Sequence, residues 1–144
     1  MSEENKAVVR RFIEGVWNNG NLDLIDELIS EDHVDHDPGQ AALSDGREGV
    51  RAFVEMYRTA YPDSHIELGE MIAEGDLVAA PWTGTGTHTG ELLGIEPTGR
   101  SVTISGIVID RVRDGQIVES WANYDVLGML LQLGALPAPA GAPA

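Results

Sequence analysis

A chain of 144 residues with 24 acidic against 9 basic side chains carries a formal charge of −15. Such a surface repels the phosphates of nucleic acids and of anionic membranes, which leaves a small, neutral or mostly apolar molecule as the expected ligand. The absence of cysteine excludes a disulfide framework, a thiol nucleophile and a thiolate metal site, and the length suits one domain with its own core.

The opening Met-Ser-Glu-Glu-Asn-Lys lacks the basic-then-apolar order of a secretory signal. No apolar run approaches the roughly 18 residues that span a bilayer. The expectation is a soluble, cytoplasmic protein. Residues 4–19 read as an amphipathic helix, with Val8, Phe12, Val16 and Val9, Ile13, Trp17 as adjacent stripes and Gly20 as its C-cap. A short second helix starts at Asn21 and buries Leu22, Ile25, Leu28 and Ile29. Residues 32–38 read as extended and closed by Pro38, and 39–45 as loop. Asp45 and Glu48 make a capping box for a helix that carries Val50, Phe53, Val54, Tyr57 and Tyr61 on one face and ends at Pro62.

Beyond Pro62 the apolar period changes from helical to two. Ile66, Leu68 and Ile72 suggest a strand, Glu74-Gly75-Asp76 a turn, and 77–88 a second strand. A loop from Gly90 to Arg100 leads to a β-branched strand, Val102 to Arg113, which pairs through Asp114-Gly115 with Gln116 to Asp125. A strict two-residue turn there would set Asp110 directly opposite Glu119, which like charges disfavour. A three-residue loop, Arg113-Asp114-Gly115, instead sets odd residues against odd and makes Arg111 and Glu119 diagonal partners. On that register Thr103, Ser105, Ile107, Ile109, Trp121, Asn123 and Asp125 share one face of the sheet, taken as the face toward the interior. A short apolar helix, 126–133, ends at Gly134, and residues 135–144 form a flexible Ala/Pro tail after a single domain spanning 1–134. Helices followed by four long antiparallel strands make an α+β domain, with a strongly curved sheet wrapped around the N-terminal helices and enclosing one pocket.

Several stretches carry a resemblance. Glu74-Gly75-Asp76, Gly86-Thr87-His88-Thr89-Gly90-Glu91-Leu92-Leu93-Gly94-Ile95 and Pro97-Thr98-Gly99-Arg100 resemble the SnoaL-like polyketide cyclases. So do Arg111 through Asp114-Gly115, Trp121, Asp125, Leu130-Leu131-Gln132-Leu133-Gly134, Val34-Asp35-His36 and Tyr61-Pro62-Asp63. The resemblance spans about residues 4–134. It implies a cone-shaped fold of the nuclear transport factor 2-like type around a deep pocket, assembled as a homodimer or homotetramer. It also implies an aspartate at the position of Asp125 that closes the last ring of an aromatic polyketide by intramolecular aldol condensation, without metal or cofactor. His36, His88 and Trp121 match positions in or near that pocket. The chain departs from the pattern at Val108 and Asp110, where relatives often carry a polar and an aromatic residue, and at Glu96, where a second proline is common.

The residues allow a chemical reading beside the resemblance. A base that removes a proton from a carbon flanked by carbonyls works best when an apolar enclosure moves its pKa toward the working pH. Trp121, four residues before Asp125 on one face, would supply that enclosure with Trp17 or Tyr57. Asp125 is equally suited to cap the helix that starts at Val126, and both readings stand. His36 and His88 would orient the base or steady an enolate, or else serve as ordinary core histidines. Trp17, Tyr57, Trp82, Ile107, Trp121 and Asn123 are taken as the substrate-binding wall, suited to a flat aromatic ligand. His33-Val34-Asp35-His36-Asp37 has metal-ligand residue types. On a strand, however, His33 and His36 point to opposite faces, and no second cluster completes a shell, so no metal is expected. The function expected is a cofactor-independent ester cyclase. The rivals are a ketosteroid-type isomerase using Tyr57 or Tyr124, an epoxide hydrolase, and a non-catalytic binding module.

Overall fold

A computed structural model describes residues 2–37 and 46–136. The loop at 39–45, Pro38, the Asp45 half of the capping box and the tail from 137 lie outside the described residues. Helix α1 (Ser2–Phe12) continues into a π-helical segment, Ile13–Asn18. The wider turns of that segment loosen the backbone hydrogen bonding near Trp17, and the Arg58 guanidinium donates to the Trp17 carbonyl. The Asn18 side chain ties the same turn to Ile66 through two hydrogen bonds, 2.9 and 2.7 Å. Trp17 is thereby fixed facing the sheet. Helix α2 (Leu24–Leu28) leads into β1 (Ile29–Asp35), and α3 (Gly46–Ala60) buries Val50, Phe53, Val54 and Tyr57 as its spacing implies.

The remaining strands are β2 (His65–Leu68), β3 (Ile72–Glu74), β4 (Leu77–Thr87), β5 (Ser101–Arg113) and β6 (Gln116–Tyr124), followed by α4 (Val126–Leu133). They form one curved, unclosed sheet in the order β1-β6-β5-β4-β2, with β3 also on β4. The expected first long strand is split into β2 and β3. β1 pairs with β6 in parallel, where an all-antiparallel sheet was expected. The two apolar clusters of the core both lie between the helices and one face of the sheet. Among the described residues no helix is long and apolar enough to cross a membrane.

The β5–β6 hairpin corrects the sequence reading in detail. Its turn has two residues, not three: Asp114 and Gly115 both take positive φ, 51° and 77°, as a type I′ turn requires. The odd-to-odd register nevertheless holds along the strands, because a bulge at Val118 resets it between Val112↔Ile117 and Arg111↔Glu119. Asp110 therefore faces Ser120 rather than Glu119. Arg111 and Glu119 stand directly opposite, 3.1 Å apart, rather than diagonal.

Candidate active site

Which sheet face looks inward decides the site. Along β5 the even residues Val102, Ile104, Asp110 and Val112 are buried, whereas Ser101, Thr103, Ser105, Ile107 and Ile109 are exposed. The bulge carries this parity into β6, so Ser120, Ala122 and Tyr124 face inward and Trp121 and Asn123 outward. The residues grouped on one face do share it, but it is the outer face. Ile107 is 57% exposed there.

Asp125 lies at the exposed end of that face. Its carboxylate accepts from the Gly128 N–H at 2.8 Å and caps α4, and its own N–H donates to the Ser105 carbonyl at 3.0 Å. His36 is on the outside too, 2.7 Å from Glu119 and stacked on Trp121 at 5.0 Å, with Arg111 over the same indole. His88 is buried, but its Nδ1 accepts from the Thr98 N–H at 3.1 Å and its ring packs on Tyr61 rather than lining the cavity. Trp17, Tyr57 and Trp82 do line the interior cavity, whose volume is about 150 Å³.

The cavity has an aromatic part and an acidic part. Phe53 stands edge-on to Trp17 at 5.8 Å and tilted to Tyr57 at 5.1 Å, and Trp82 lies 6.1 Å from Tyr124. The hydroxyls of Tyr57 and Tyr124 are 2.8 Å apart. Burial raises the pKa of both phenols above the ordinary range, which keeps them protonated. No lysine or arginine lines the cavity among the described residues.

His33, Asp35, Asp37, Asp110 and Ser120 line the acidic part. The Ser120 hydroxyl donates to Asp110 Oδ1 at 2.6 Å and lies 2.9 Å from His33 Nε2. When Asp110 is ionised the serine's single hydrogen goes to the carboxylate, and its oxygen is then left to accept from a His33 protonated on Nε2. Burial pushes Asp110 up to about 7; the Ser120 hydrogen bond opposes this and the nearby Asp35 charge adds to it. A carboxyl poised there can take or give a proton near neutral pH. His33 and His36 face opposite sides of β1, and among the described residues no three acidic or imidazole groups converge as metal ligands.

Asp110 and Ser120 are absent from the sequence-derived site because the face was chosen the wrong way round, while Tyr124 enters there only through the isomerase reading and His33 only through the metal reading. A signal was available: the outer face carries Ser101, Thr103, Ser105, Arg111 and Arg113, while the inner face of β5 is apolar apart from Gly106 and Asp110.

A cone of helices on a curved, unclosed sheet around one interior cavity defines a nuclear transport factor 2-like pocket protein. The family model for SnoaL-like polyketide cyclase matches residues 7–133, and the chain belongs to that family. It is 32% identical over 141 residues to the aklanonic acid methyl ester cyclase DnrD of Streptomyces peucetius, covering 93% of this chain and 94% of the relative. Among solved structures, wild-type IdmH of Streptomyces antibioticus matches with a TM-score of 0.80 and 34% identity over 90% of this chain and 98% of that one. TsrD of Streptomyces laurentii matches with a TM-score of 0.84 and 28% identity over 93% and 97%. The family match and the cyclase DnrD support a cyclase-type enzyme.

Proposed function

We propose that the protein is a cofactor-independent ester cyclase of the cytoplasm that closes a ring by intramolecular aldol chemistry, with Asp110 as the acid/base. The observation that carries this is the Asp110 carboxyl, buried in the aromatic cavity and hydrogen-bonded to Ser120. In the reaction Asp110 takes a proton from a carbon between two carbonyls. The enolate carbon then attacks a ketone carbon of the same molecule, a C–C bond forms, and the carbonyl electron pair moves onto oxygen. That alkoxide recovers the proton from Asp110, so the carboxylate is regenerated and nothing else is consumed. Ser120 and His33 hold the carboxyl in place, and Trp17, Phe53 and Trp82 receive the flat substrate. The epoxide hydrolase reading loses support because Arg111 and Arg113 are paired with Asp76 outside the cavity.

Turnover of aklanonic acid methyl ester, the substrate named for DnrD, is the assay. Asp110→Asn is expected to lower turnover by at least about a hundredfold while Asp125→Asn keeps most of it. The reverse pattern returns the catalytic role to Asp125, and the loss of neither supports the binding-module reading. The expectation of a homodimer or homotetramer belongs to this proposal, with the exposed Ile107 and Ile109 on the outer face in its support, and light scattering tests it.

A further inference from the structure

Two hydroxyls bonded to each other own two hydrogens, and one bond uses one of them. Whichever phenol of the Tyr57–Tyr124 pair accepts still has its own O–H to give, and that O–H is polarised by the bond it accepts. Burial raises the pKa of each phenol, and the Asp37 carboxylate lies near enough to both to add to that rise electrostatically. Both side chains line the cavity, Tyr57 from α3 and Tyr124 from the last position of β6. Their rings meet edge-to-face at 6.0 Å, so each is held by its partner as well as by its own element. The walls around them are Trp17, Phe53 and Trp82.

We propose that the Tyr57–Tyr124 hydroxyl pair is the carbonyl-oxygen site of this cavity, and that it takes the oxygen of a neutral aryl ketone whose ring lies among Trp17, Phe53 and Trp82. Three features of the site select that ligand. A protonated phenol donates, which suits a ketone oxygen and the partial negative charge that grows on it when the neighbouring carbon loses a proton. Asp35, Asp37 and Asp110 share the cavity with no lysine or arginine among the described residues, which disfavours a ligand that arrives as an anion. The volume, about 150 Å³, is that of a cavity that admits a single benzene ring, so one ring with its carbonyl is the part of a larger substrate that the cavity takes. The inference rests on the cyclase reading for the reaction, but not for the binding.

Acetophenone with a carbon-13 carbonyl is the probe, and difference infrared spectroscopy on the whole protein is the measurement. Bound to wild type at millimolar concentration, its carbonyl band is expected at lower wavenumber than in hexane. Tyr57→Phe and Tyr124→Phe, which keep the rings, should each move the band only part of the way back, because the remaining phenol still has its O–H. The double variant should weaken binding by about tenfold and return the band to its hexane position. Asp110→Asn should leave the band shifted. A band at the hexane position in wild type, a shift that survives in full in the double tyrosine variant, or no binding to wild type overturns the inference. A shifted band without any cyclisation of the polyketide ester sinks the cyclase reading and leaves this one standing. Loss of turnover in Asp110→Asn beside an unshifted band does the reverse.

Discussion

The Ser120 hydroxyl lies 2.6 Å from the Asp110 carboxylate, directly across the β5–β6 ladder from it. That pairing exists because the bulge at Val118 shifts the register by one residue; without it Asp110 would face Glu119. A local irregularity in one strand therefore replaces a repulsive pair with a hydrogen bond, and it does so at the one inward-facing acid of β5.

A buried carboxyl that titrates near 7 leaves a mark on stability. Between about pH 4 and pH 7 the folded protein keeps a proton on Asp110 that the unfolded chain has already released. This group accordingly favours folding at low pH, and the advantage disappears as pH rises through 7. Asp110→Asn should be more stable than wild type at pH 8, by a few kcal/mol at most at about 1.4 kcal/mol per pH unit, with the gap closing toward pH 4. Thermal melts of both proteins across that range check it. In wild type the rate should rise through about pH 7 as the carboxylate forms, and the variant should lose that limb.

Asp125 is expected to behave as a cap. Asp125→Ala removes the acceptor for the Gly128 N–H and should cost about 1 kcal/mol in urea denaturation. Turnover should stay within a few-fold of wild type. Tyr124 precedes the cap directly, so any loss should appear as a weaker grip on substrate, read in KM, rather than as a collapse of kcat.

How far the residues foretold this arrangement can be judged strand by strand. The position of the hairpin at Asp114-Gly115 was legible, because turn residues act locally, whereas the odd-to-odd pairing holds through the bulge at Val118 and not through the expected three-residue loop. The inward face was misjudged because Ile107, Ile109 and Trp121 are apolar, and apolar residues on a strand read as core; a partly covered outer face carries such residues as well. Val118 has nothing in its identity that announces a bulge. The parallel partner of β1 lies more than 80 residues away along the chain, beyond the reach of any periodicity. Asp110 has the parity of the face taken as outer, and only Ser120 opposite and His33 beyond it make its burial tolerable. Trp17, Tyr57 and Trp82 were found because large aromatics at regular spacing mark interiors on helices and strands alike.

The outer network makes a contrasting prediction. Hydrogen bonds from His36 and then Arg111 hold Glu119 below its ordinary pKa, so its contribution to stability is present at neutral pH and is lost as pH falls through the lowered value. Glu119→Gln should melt below wild type at pH 7 and converge with it in strong acid. Because the pairs are surface pairs, added salt should narrow the difference as well.

Gly106 is the position where the pocket wall and the sheet meet. It pairs with Trp82 on β4 and with Tyr124 on β6. A β-carbon there would come within 2.6 Å of the Trp82 ring, 2.7 Å of the Tyr124 Cβ and 2.8 Å of the Asn123 carbonyl. The indole could swing away, but a backbone oxygen and a Cβ cannot without parting β5 from β6. Gly106→Ala should thus lose about 1–3 kcal/mol of stability in chemical denaturation. Because the displaced groups include the indole wall and one of the paired phenols, acetophenone binding should weaken in the same variant, and a doubly labelled spectrum should report the tryptophan and the ketone moving together. Unchanged stability and binding in Gly106→Ala would mean that Trp82 and Tyr124 are not held against the strand as closely as their contacts imply.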